Sequence, residues 1–223
     1  MGGRWFKYAP LLGALFVVLT VVGFLVTGET PDSDASGAEV RDAYDDQAKH
    51  LIGTYLVILG SIALLFFSAH LRSALRFLSP GGRMGNAALA GAITAATGFL
   101  VAAVIHGALT SAVDDKLPDA AVQALNGLDN WSFPPFVAGL GTMVLATGLA
   151  IARAARLIPG WFGWLGVLIG LLMFTPAGFF GFIASGLWIL ALSILLYLRW
   201  EDLHRNDPDQ GRPPAGAATR MPA

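Results

Sequence analysis

Six long apolar segments separated by short polar connections constrain this chain more than any other feature. A helix needs about 20 apolar residues to cross a roughly 30 Å hydrocarbon layer, and such runs occupy residues 9–27, 51–71, 87–110, 134–152, 161–179 and 182–198. With 223 residues, 55% hydrophobic and only 13% charged, the chain is too apolar for one soluble core, because ordinary domains carry about 25% charged residues. The expected fold class is therefore all-α: a polytopic membrane helical bundle of six transmembrane helices over residues 1–200. Acidic outer loops at 28–49 and 114–131 connect them, and 201–223 forms a disordered cytoplasmic tail, polar and too poor in apolar residues to pack.

The distribution of charge predicts orientation, because loops rich in lysine and arginine stay in the cytoplasm. Arg4, Lys7, Arg72, Arg76, Arg83, Arg153, Arg156, Arg199, Arg205, Arg212 and Arg220 are eleven of the 14 basic residues, and all fall on one set of connections. The opposite connections hold Arg41, Lys49 and Lys116 among eleven acids, so both termini are expected inside. A net charge of −1 thus conceals a basic face and an acidic face. A basic start followed by an apolar run also suits a cleavable signal peptide, but this run ends in Thr27, Gly28, Glu29 and Thr30 without an Ala-x-Ala site, which favours a permanent first helix.

Residues 160–200 form one uncharged run interrupted only by Thr175, Pro176, Ala177 and Gly178. Forty residues are too many for one span, and proline with glycine favours a turn. A tight hairpin is expected, with a re-entrant segment as the alternative. In the outer loops, a helical extension from about Ala38 leads into the second span. A second short helix follows Pro118 and ends near Gly127, with Leu117, Val122, Leu125 and Leu128 facing the membrane surface. Three spans on either side of this loop match the count of an inverted repeat, but the two halves share no matching residues.

Small residues mark where helices approach closely in lipid. His50, Gly53, Thr54, Gly60, Ser61 and Ser68 share one face of the second span, and Ala88, Ala92, Ala95, Gly98, Ala102 and His106 share one face of the third. Gly13, Thr20 and Thr27, and Gly141, Thr142 and Gly148, repeat the pattern more weakly. His106 is the titratable residue set well inside a span, about 12 Å below Asp114 at 1.5 Å per residue. An ionisable group there marks a functional site by default; the competing reading is a neutral imidazole bonded to Thr54, Tyr55 or Thr142. The candidate polar cluster is His106, His50, Thr54, Tyr55, Thr142 and Asp129.

Catalytic and metal chemistry lack the residues they need. His50 lies about two turns shallower than His106, while His70 and His204 lie at the far end of a span and in the tail, so no set of ligands converges as zinc or bis-histidine haem requires. With no cysteine there is no thiolate site. Asp32, Ser33, Asp34, Ala35, Ser36 and Gly37 match the first half of a calcium loop, but Ala43 stands where the closing glutamate belongs. Ser185, beside Ile183, Ala184 and Gly186, has neither the glycine nor the facing histidine of an intramembrane protease. It is expected to bond its own helix or a neighbouring one. No cofactor is expected.

The stretch Leu157, Ile158, Pro159, Gly160, Trp161, Phe162, Gly163, Trp164, Leu165 and Gly166, then Thr175, Pro176, Ala177, Gly178, Phe179 and Phe180, and finally Trp188, resembles the C-terminal hairpin of six-helix integral membrane proteins of actinobacteria. Ala124, Leu125, Asn126, Leu128 and Asp129 resemble the outer segment before their fourth helix. The resemblance covers about the last half of the chain. It implies a multi-pass protein of the bacterial plasma membrane and brings no activity, cofactor or site with it. The functional expectation is a non-enzymatic small transport or binding unit, or an accessory subunit of a membrane complex. The alternative is a membrane-embedded metal- or haem-dependent enzyme using His50 and His106. Expected partners are the lipid bilayer and a second copy of the chain or another membrane component, with no surface for nucleic acid.

Overall fold

Apolar segments become helices because a helix satisfies its own backbone groups where water and strand partners are absent. In a computed structural model, which describes residues 7–76, 82–154 and 158–199, the regular elements are all helical. They are α1 (Leu11–Thr27), α2 (Gly37–Ala43), α3 (Gln47–Arg76), α4 (Arg83–Asp114), α5 (Asp119–Asn130), α6 (Pro134–Ala154), α7 (Gly160–Leu172) and α8 (Gly178–Leu198). The tail expected to be disordered, residues 201–223 with His204, lies outside the described residues. Four helical stretches are long and apolar enough to cross a membrane: α3, α4, α8 and Asp119–Ala154, which comprises α5 and α6; α1 and α7 are shorter apolar helices.

The apolar helices close a ring in which α1 packs on α3, α3 on α4, α4 on α6, α6 on α7, α7 on α8 and α8 back on α1. Neighbours run antiparallel: Gly13 of α1 meets Phe67 of α3 while Gly23 meets Gly53, and Gly91 of α4 meets Met143 of α6 while Gly98 meets Phe136. At the α1–α8 seam, the Ser193 hydroxyl donates to the Pro10 carbonyl and accepts from the Ala14 N–H at 3.0 Å, tying the first turn of α1 to α8. Tyr8 stacks on Tyr197 with ring centroids 6.0 Å apart, so the start of α1 and the end of α8 share one end of the ring.

Glycine permits the tightest seam. A methyl group added at Gly139 would overlap the Ala95 backbone, and one at Gly91 would sit 2.5 Å from the Met143 nitrogen. The small face of α4 at Ala88, Ala92 and Ala95 is accordingly buried.

Three expectations need correction. The fifth apolar helix stops at Leu172 instead of running to 179. Pro176 disfavours helical geometry at the residue before it, and the Thr175 hydroxyl donates to the Leu172 carbonyl at 2.7 Å, closing the last turn. The helical extension from Ala38 is a separate helix, α2, divided from α3 by residues 44–46. Ser36 and Glu39 form its capping box: the Glu39 N–H donates to Ser36 Oγ at 3.3 Å and the Ser36 N–H to the Glu39 carboxylate at 2.7 Å. That backbone bond chiefly holds the Glu39 carboxyl below its usual value. Finally, Val122 does not face a membrane surface. It is fully buried with Val40, Tyr44, Leu109 and Ala112 in a second, small core.

This second core joins α2 and α5 into a cap on one end of the ring. Arg41 pairs with Asp119 at 3.0 Å, and Asn126 and Asn130 donate to the Asp32 and Pro31 carbonyls at 2.8 and 3.0 Å. The oxygen-rich segment 32–37 is thereby used to cap α2 and tie down α5. Ser185 bonds the Phe182 carbonyl of its own helix at 2.7 Å.

Candidate functional site

Four elements bring side chains together where the cap meets the ring. Tyr44 ends α2, its N–H donating to the Val40 carbonyl. His50 lies in the first turn of α3, which begins at Gln47, four residues before the apolar run. His106 projects from α4 about two turns before its end, and α5 delivers Asp129 from above. His106 Nδ1 lies 2.9 Å from Asp129 Oδ2. His106 Nε2 lies 3.1 Å from His50 Nδ1, and His50 Nε2 lies 3.1 Å from the Ala43 carbonyl oxygen. The Tyr44 hydroxyl is 3.3 Å from both Asp129 Oδ2 and His106 Nδ1, and its ring stacks on His50 at 4.1 Å.

The partners determine where the hydrogens lie. A carbonyl only accepts, so His50 Nε2 carries a hydrogen toward Ala43. One hydrogen must lie between the two rings, and another between His106 Nδ1 and Asp129, because two lone pairs facing each other at 2.9 Å repel. Two neutral imidazoles and an ionised carboxylate hold one hydrogen fewer than these links require. Satisfying all three links takes one extra proton, which leaves the cluster with a net charge of zero. That suits its surroundings: His50 is fully buried, and the side chains of His106 and Asp129 are 12% and 9% exposed. Burial, followed by the nearby Asp129 charge, pushes the Tyr44 phenol well above its ordinary value. Tyr44 therefore stays an uncharged donor.

A cleft of about 260 Å³ opens beside the cluster, slightly smaller than the roughly 300–1,000 Å³ of common small-molecule pockets. His106, Asp129, Asn130, Ser132 and Thr54 form its polar end, and Phe24, Val57, Phe99 and Phe136 its apolar wall.

Of the residues singled out from sequence, His106, His50 and Asp129 form one bonded chain. Thr54 borders the cleft, but its hydroxyl bonds the His50 carbonyl on its own helix at 2.8 Å. Tyr55 is 65% exposed, and Thr142 is exposed and bonded to the Ala138 carbonyl at 2.9 Å. Neither belongs to the cluster, and the partners expected for His106 from depth alone are not the ones it has. His50, expected two turns away, touches it because the two side chains reach toward each other across the α3–α4 seam. Tyr44 carried no signal of its own, although the Ser36 and Glu39 spacing marks the helix that presents it.

His50, His106 and Asp129 lie in a line, each atom facing the next. Among the described residues, no three histidine, cysteine, aspartate or glutamate side chains gather around one point that could hold a metal ion. The arrangement is suited to sharing and passing a proton. No protein-family model matches the chain, and it has no significant match among curated proteins or solved structures.

Proposed function

We propose that this is a six-span, multi-pass protein of a bacterial plasma membrane, with both termini cytoplasmic, that works as a non-enzymatic binding or transport unit for a small molecule with one polar end. Membrane residence is supported by the four long apolar stretches and by the large apolar side chains on the outside of the ring. Leu25, Val104, Leu168 and Leu187 are 76%, 69%, 64% and 66% exposed, an arrangement that water disfavours. α1 and α7 complete the six. At 1.5 Å per residue they reach about 26 and 20 Å, and a short span is accommodated by local thinning and by interfacial aromatics. Trp161 and Trp164 in the first turns of α7, and Phe179 and Phe180 in the first turn of α8, all exposed, are such anchors.

The observation that carries the binding reading is the joining of a buried, proton-sharing cluster to a cleft with an aromatic wall. An accessory-subunit role would use the same ring but would leave this cluster without a purpose. The eleven-to-three split of basic residues supports an outer position for the cleft.

The absence of cysteine makes the test direct, since single cysteines can be introduced without background. With a membrane-impermeant thiol reagent on intact cells, cysteines at Asp34, Ser132 and Thr54 are expected to react, and one at Ser73 only after permeabilisation. Labelling at Ser73 from outside would reverse the orientation. An inert Thr54→Cys beside a reactive Asp34→Cys would mean that water does not enter the cleft, removing the binding reading.

A further inference from the structure

Resting on that reading, we infer that the cleft is an exchange site in which one monovalent organic cation with an apolar body replaces the one proton shared by His106 and Asp129. The cluster is neutral as it stands and nine-tenths buried at Asp129. A second positive charge brought to it would be strongly disfavoured. If the cation enters and the shared proton leaves through the cleft to bulk water, the charge is unchanged: cation plus protonated cluster gives cation-bound cluster plus a proton.

Each partner has a place after the exchange. Asp129, now ionised, faces the cation. His106 keeps its Nε2 hydrogen toward His50 at 3.1 Å, and its vacated Nδ1 accepts from Tyr44, whose hydroxyl already stands at 3.3 Å from both atoms and only has to turn its hydrogen from one to the other. The permanently uncharged phenol makes that turn available throughout the physiological range. Phe24, which is partly exposed, offers a ring face for the cation, and Phe99 and Phe136, stacked on each other at 4.4 Å, form an apolar floor for its body.

The titratable groups around the site are few. Tyr44 faces it from α2, His50 from α3 and Asp129 from α5. Asp46, just before α3, and Lys49, in its first turn, act on His50. Among the described residues lining the cleft, α1 and α6 contribute no charge. The acids of the cap draw cations toward the opening.

Calorimetry on the full-length protein in detergent, with benzyltrimethylammonium as a cation that cannot itself lose a proton and benzyl alcohol as an uncharged probe, tests this. Titration in two buffers of different ionisation enthalpy is expected to show saturable cation binding with release of about one proton. Affinity should rise about tenfold per pH unit while the cluster is protonated. Asp129→Asn should abolish the proton release, and Tyr44→Phe should keep it while weakening binding several-fold. Cation binding without proton release, or binding of benzyl alcohol alone, overturns the exchange and leaves the binding cleft standing. Failure of both probes to bind overturns the two together.

Discussion

Replacing His106 with leucine is expected to lower the stability of the purified protein by about 3–5 kcal/mol, because it strands Asp129 as a buried carboxylate without its charged partner. Asp129→Leu should cost a similar amount by stranding the protonated ring. The double replacement should recover much of the loss, since removing both members of a buried pair is far less damaging than removing one. Unfolding curves of the four proteins in mixed detergent give the coupling. Additive losses would mean that the 2.9 Å contact does not hold the two charges together. His106→Gln, which keeps hydrogen-bonding capacity, should fall between wild type and leucine.

The second large effect is expected at the α4–α6 seam. Gly139→Ala places a methyl group on the Ala95 backbone, so the two helices must part along a contact where close packing replaces the hydrophobic effect. The loss should be about 2–3 kcal/mol, and Gly139→Leu should prevent assembly of the ring. Gly127 serves as the control. A methyl group there meets nothing within 4 Å, so Gly127→Ala should stabilise α5 by about 0.5–1 kcal/mol through helix propensity. Equal effects at the two glycines, measured by thermal unfolding, would contradict the packing described for Gly139.

Hydropathy locates the apolar helices because each must cover a long stretch of backbone with apolar side chains, and the i+3 and i+4 spacing of Ala88, Ala92 and Ala95 identifies the inner face of α4. It does not say which helix will meet that face. Gly91 and Gly139, which let α4 and α6 approach closely, look no different in sequence from Gly107, which meets nothing. The candidate site shows the same division. His106 is legible as an inward group because its neighbours on the helix are small. Its partners are not, because depth reckoned along straight helices treats the connections as lying above the bundle. Here the connections fold back: α2 and α5 form their own core around Val122 and lower Tyr44 and Asp129 onto the ring. Val122 itself resembles a lipid-facing residue until α2 is placed against it. The early stop of α7 is written in Thr175 and Pro176: the Thr175 hydroxyl bonds the Leu172 carbonyl, and Pro176 disfavours helical geometry at the residue before it, so the helix closes before the apolar run ends.

The shared proton is most directly tested by nitrogen-15 spectra of the histidine-labelled protein at neutral pH, with His50→Gln and His106→Gln used to assign the signals. The expected spectrum has His50 as a neutral ring bearing its hydrogen on Nε2, His106 with hydrogens on both nitrogens, and a scalar coupling across the hydrogen bond between His50 Nδ1 and His106 Nε2. Two ordinary neutral rings, with no hydrogen on His106 Nδ1 and no coupling between them, would contradict the account.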